Sequence, residues 1–145
     1  MSTEDNKAVF RRWCEVISQN RLDRVEEIIA SDEVDHALPP GVPPGLDGLK
    51  QIFTLLHTAF PDLQIEIEDL IAEGDKVVGR VTARGTHEGE FMGIAPTGKR
   101  VSFTAIDIVR IAGGQIAERW SQADNLALLQ QLGPVPAPGQ TAATR

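Results

Sequence analysis

Two carboxylates toward the C-terminal end are the residues best suited to chemistry. Asp124, in ERWSQADNLALLQQLG, stands where a strand pattern gives way to an amphipathic helix, and Asp107, in FTAIDIVRI, interrupts an apolar alternation. A carboxylate in an apolar setting holds its proton to higher pH, so it can take a proton from an acidic carbon and return it elsewhere. Asp124 also has a plainer reading, as N-cap of the helix that follows. Asp107 could equally be an ion-pair partner for Arg80 on the neighbouring hairpin. His36, in VDHALPP, and His87, in GTHEG, follow or end strands and are candidates to assist. His57 lies among apolar neighbours in a helical pattern and reads as structural. The histidines lack metal-ligand spacing and Cys14 is the lone cysteine, so no metal is expected. GIAPTGK has glycines and a lysine but no strand–loop–helix setting, and reads as a turn rather than a phosphate loop.

The elements that must position these groups follow from hydrophobic period. Val9, Trp13, Val16 and Ile17 recur at helical spacing within 5–20. Leu22, Val25, Ile28 and Ile29 suggest a second helix over 22–30. A short strand around Val34–Ala37 leads into a Pro/Gly loop, and a third helix carries Leu49, Ile52, Phe53 and Leu56 up to Pro61. Beyond Pro61 the period falls from about 3.6 to 2, giving one hairpin that turns at Gly74–Asp75 and another at Gly113–Gly114. A final helix, 125–132, ends at Gly133. Helices followed by an antiparallel meander predict an α+β domain over 1–133, a strongly curved sheet closed by helices into a cone with a central pocket. The tail PVPAPGQTAATR, 134–145, has little to bury and is expected to be disordered.

A two-residue turn at Gly113–Gly114 pairs Ala112 with Gln115 and, counting back, Asp107 with Trp120, Ala105 with Gln122 and Phe103 with Asp124. One face then carries Phe103, Ala105, Asp107, Val109, Trp120, Gln122 and Asp124, with Glu118 nearer the turn, apolar walls with a few polar groups, as a ligand pocket needs. The other face carries Ile106 and Ile108 with Arg110, Arg119 and Ser121, and its apolar part calls for cover by another subunit. A one-residue bulge would exchange the faces. Trp13 and Phe53 are further candidate pocket walls.

Composition narrows the class. The chain has 145 residues, one domain's worth, with 41% hydrophobic and 24% charged residues and a net charge of −7. The negative balance, without a Lys/Arg block, argues against nucleic acid or an anionic membrane as partner. The opening MSTEDNKAVF has no signal-peptide pattern and no apolar run is long enough to span a bilayer, so a cytoplasmic location is expected.

The run from FPDLQIEIEDL to LALLQQLG, and within it GTHEGEFMGIAPTGK, GGQIAERW and the W-x-x-x-D ending at Asp124, resembles the SnoaL-like polyketide cyclases, or ester cyclases. That resemblance implies the cone of the nuclear transport factor 2-like fold. It also implies an intramolecular aldol ring closure on an aromatic polyketide without metal or cofactor, with an aspartate as acid/base, here Asp124. It further implies a supporting histidine on the neighbouring strand, where this chain offers Asp107. Asp124, Asp107 and His87 are thus the expected catalytic residues, and His36, Trp120, Trp13, Phe53, Gln122 and Phe103 the expected substrate contacts. The expected partners are a hydrophobic small molecule and one or three further copies of the chain. Competing readings are an epoxide hydrolase built on Asp107, Arg80 and Asp124, an isomerase, and a non-catalytic binder. The absence of tyrosine removes the ketone-polarising group that steroid isomerases of this fold use.

Overall fold

The computed structural model describes residues 2–133, so the expectation for the tail lies outside the described residues. Helix α1, Thr3–Ser18, opens on a reciprocal cap in which Ser2 Oγ accepts from Asp5 N–H at 3.0 Å and Asp5 Oδ2 accepts from Ser2 N–H at 3.2 Å. Its Phe10, Trp13 and Ile17 form the floor of the core. The chain reverses at Asn20, a non-glycine residue with φ 55°.

The expected second helix is a correction. Leu22–Glu27 is a short 3-10 turn, and Ile29 already begins strand β1, Ile29–Asp35, which starts before and ends short of the strand expected around Val34–Ala37. The adjacent, buried Ile28 and Ile29 are β-branched residues that favour extended backbone. Helix α2, Gly45–Ala59, follows two prolines and stops at Phe60, before Pro61.

Strands β2, Gln64–Glu73, and β3, Lys76–Thr86, turn at Gly74–Asp75. Strands β4, Arg100–Ala112, and β5, Gln115–Ala123, turn at Gly113–Gly114, where both glycines have positive φ. Helix α3, Asn125–Leu132, ends on left-handed Gly133. The sheet order is β1-β5-β4-β3-β2, antiparallel except for the parallel pair β1 and β5. Helix α1 lies against β2 and β3, α2 against β1, and α3 against β4, so the curved sheet and its helices enclose one interior. Contact at the floor is close: a Cβ on Gly79 would stand 2.3 Å from the Phe10 ring. Among the described residues, no helix is long and apolar enough to cross a membrane.

The last hairpin departs from the register expected for it. Ala112 does pair with Gln115 and Ile111 with Ile116, but the next pairs are Arg110 with Glu118 and Val109 with Arg119. Ala117 is the extra residue of a bulge, and beyond it β5 is rotated by one position against β4. The bulge leaves Ile116 fully buried, its N–H donating to Ile28 O at 2.7 Å. It also exchanges the two faces of the rest of β5.

Candidate active site

The exchange decides which residues meet inside the cone. Asp107 pairs with Ser121, not Trp120, and Ala105 with Ala123, not Gln122. Phe103, Ala105, Asp107 and Val109 stay on the inner face as expected. They are joined by Arg119 and Ser121, which were expected outside, while Glu118, Trp120 and Gln122 turn out. Trp120 stacks on His36 with ring centroids 5.0 Å apart and planes at 13°. His36 Nε2 lies 2.7 Å from Glu118 Oε2, and Arg110 Nε donates to Glu118 Oε1 at 3.0 Å. His36, Trp120 and Gln122 therefore lie on the outer face, away from the interior they were expected to line. Arg80 is also outside, paired with Asp69 at 2.6 Å, and does not reach Asp107.

Asp124 makes the helix cap. It is exposed, its carboxylate accepts from Ala127 N–H at 3.0 Å as the N-cap of α3, and its own N–H donates to Thr104 O.

The interior holds a different set of charges. Asp107 is buried at 8% exposure, and its Oδ1 has no hydrogen-bond partner among the described residues. Burial pushes its carboxyl above the ordinary range. The Arg119 charge and a hydrogen bond with Ser121 oppose that shift without reversing it. Arg119, also buried, donates from Nη1 to both oxygens of Asp35, at 3.1 and 2.9 Å. Its guanidinium carbon lies 5.9 Å from the Trp13 ring centroid and 5.8 Å from that of Phe53, and those two rings meet edge-on at 5.3 Å. Trp13 and Phe53, expected as walls, thus flank the Arg119 charge, while its Nε lacks a partner among the described residues. Glu33, two positions before Asp35 on β1, is a further buried carboxylate. Cys14, buried on α1, has its thiol pushed up to about 12, first by burial and then by the Asp107 charge.

His87 is fully buried but lies elsewhere in the cone. Asp107 is opposite Gly79, whereas His87 follows the last β3–β4 pair, Thr86 with Arg100. That separates the two by about 26 Å of strand contour at roughly 3.3 Å per residue. Thr97 N–H donates to His87 Nδ1 at 3.2 Å, which places the ring proton on Nε2. Glu88 N–H and Gly89 N–H both donate to Ala59 O, and a Cβ on Gly89 would stand 2.2 Å from Thr58 O. The GTHEG segment therefore docks tightly on the end of α2. His57 Nε2 lies 2.7 Å from Ile17 O and closes the end of α1, a structural role as expected.

An open cleft of about 630 Å³ lies between Asp62, Gln64, Arg84, Arg100, Ser102 and Gln131. None of the buried, unpartnered groups lines it, and its Gln131 is tied to both the N–H and the C=O of Ser102. Asp107, Glu33 and Arg119 lie in the interior instead. Among the described residues no His, Cys, Asp and Glu cluster is placed to hold a metal ion.

Sequence reasoning missed Arg119, Ser121, Asp35 and Glu33. One signal was available: Glu33 and Asp35 alternate around Val34, so a strand there puts two carboxylates on one face, and a buried pair of that kind needs a cation such as Arg119.

The curved sheet closed over by helices is the cone of the nuclear transport factor 2-like fold. The chain belongs to the SnoaL-like polyketide cyclase family, whose model matches residues 7–132. It is 29% identical over 143 residues to aklanonic acid methyl ester cyclase DnrD of Streptomyces peucetius, covering 95% of this chain and 97% of that one. Among solved structures it resembles IdmH of Streptomyces antibioticus, a candidate polyketide cyclase, with 33% identity, a TM-score of 0.80 and 88% and 98% of the two chains covered. It also resembles AclR of Streptomyces galilaeus, a candidate hydroxylase, with 31% identity, a TM-score of 0.85 and 94% and 85% covered.

Proposed function

We propose that the protein is a cyclase that closes a ring of an aromatic polyketide ester by intramolecular aldol condensation, with Asp107 as its acid/base. The observation that carries this reading is the buried Asp107 carboxyl, with a free Oδ1 and a raised pKa, beside a guanidinium whose Nε is also free. In the reaction Asp107 takes a proton from a carbon activated by flanking carbonyls, and the electron pair moves onto the enolate oxygen, where Arg119 Nε–H stabilises it. The enolate carbon attacks a ketone carbon of the same molecule, forming the C–C bond. The resulting alkoxide takes the proton back from Asp107, so the product is an isomer and no cofactor is consumed. Trp13, Phe53 and Phe103 hold the rings. Asp124 serves α3 rather than the reaction, and His87 supports the loop around Thr97 at the other end of the cone. The half-exposed Val34 and Ile106 on the outer face support association with a second copy, and the buried lone Cys14 suits a reducing cytoplasm.

A second reading has an observation of its own. Asp107, Arg119 and Asp35 form a buried carboxylate–guanidinium–carboxylate row, which also suits adding water to an epoxide, one carboxylate activating water while a proton donor opens the ring. Incubating the purified protein with aklanonic acid methyl ester tests the first reading, because a cyclised product of unchanged mass is expected. Asp107→Asn should lower turnover by about 100-fold or more. Turnover that survives this substitution would remove Asp107 from the mechanism, and conversion of an epoxide to a diol with no ester cyclisation would favour the second reading.

A further inference from the structure

Glu33 belongs to the buried charge cluster but has no part in the proposed reaction. It is 4% exposed, and both carboxyl oxygens lack a donor among the described residues. The charged groups around it are Asp35 on its own strand and Arg119 and Glu118 on β5. Helix α2, packed on the same strand, turns its Lys50 to Glu26 and its His57 to Ile17 O instead. Arg119 spends Nη1 on Asp35, so Glu33 has no cation of its own. Two carboxylates side by side can form a hydrogen bond only when one of them carries a proton.

We propose that Glu33 is a positioning residue, a neutral carboxylic acid that donates its proton to Asp35 and thereby fixes Asp35 on Arg119, which aims Arg119 Nε beside Asp107. Burial, followed by the Asp35 charge, pushes the Glu33 carboxyl up to about 8, consistent with a retained proton at neutral pH. The row then runs Glu33, Asp35, Arg119, Asp107 across β1, β5 and β4, with Glu33 holding Asp35 and Asp35 holding Arg119 near Asp107. Its catalytic meaning rests on the function proposed above, whereas the readout that tests it uses no substrate.

The experiment is carboxyl-carbon NMR of the full chain over a pH series, with Glu33→Gln to assign the Glu33 signal. Glu33 is expected to titrate with a midpoint near 8, and the Asp35 carboxyl carbon should shift with the same midpoint. Glu33→Gln, whose amide still donates to Asp35, should hold the Asp35 signal at its low-pH position throughout. It should also keep a sharp Arg119 Nε–H resonance below neutrality. Glu33→Met should displace the Asp35 signal at every pH and broaden the Arg119 resonance. If that variant does not fold, the wild-type series and Glu33→Gln still decide the matter. Titration of Glu33 in the ordinary carboxylate range, or an Asp35 signal indifferent to Glu33, would overturn the proposal. A chain inactive toward the ester with these signals intact would contradict the proposed function and leave the role of Glu33 standing.

Discussion

The two faces of the sheet carry similar residues in very different states. Inside, Arg119 is held by Asp35, whose side chain is wholly buried, and Asp107 and Glu33 sit close by. Outside, Arg110 and His36 share Glu118, and Arg80 holds Asp69 with both side chains more than half exposed. Burial raises the inner carboxyls Asp107 and Glu33, whereas His36, then Arg110, hold the outer Glu118 below its ordinary value. The same kinds of pair therefore do opposite things. The outer pair favours the ionised carboxylate, whereas burial of the inner set favours the protonated form of its carboxyls.

The largest effect should come from breaking the inner set at its cation. Arg119→Leu leaves Asp35 buried without a counter-charge and should cost about 3–5 kcal/mol in urea denaturation, along with turnover. Next is Asp124→Ala, which removes a helix cap and should cost about 1 kcal/mol while leaving turnover close to wild type. A loss of turnover as deep as that of Asp107→Asn would return Asp124 to the mechanism. The smallest effect should come from the outer face: Glu118→Gln removes the partner of His36 and Arg110 and should lower the denaturation midpoint only slightly, with turnover unchanged.

How much of this was legible in the sequence differed between the same two faces. The Gly113–Gly114 turn, both hairpins, α3 and its Gly133 cap follow from local signals, and the inner side of β4, Phe103 to Val109, follows from alternation. The other half of the site depended on the one residue that carries no signal. Ala117 is small and fits a regular strand or a bulge equally well, yet its insertion turns Arg119 and Ser121 inward and Trp120 and Gln122 outward. Glu33 was hidden for another reason. The strand was read as starting at Val34, so the alternation of Glu33 with Asp35 fell across its edge. The stacking of His36 on Trp120 lies between distant segments joined only through the parallel β1–β5 pair, which hydrophobic period does not reveal.

The inner face also predicts how stability depends on pH. A carboxyl whose folded pKa lies above its unfolded value contributes stability that is fully present below the unfolded pKa and is lost as pH rises through the folded one. Asp107 and Glu33 both have this sign, and each retained proton steepens the fall by about 1.4 kcal/mol per pH unit between its two values. The outer Glu118 has the opposite sign and contributes above its unfolded value.

The most direct test of the inner carboxyl as acid/base is the titration of Asp107 itself, by carboxyl-carbon NMR with Asp107→Asn to assign the signal. A midpoint above the ordinary aspartate range, with turnover rising through that same pH, is the predicted result. A midpoint at or below that range, or turnover indifferent to it, would contradict Asp107 as the group that moves the proton.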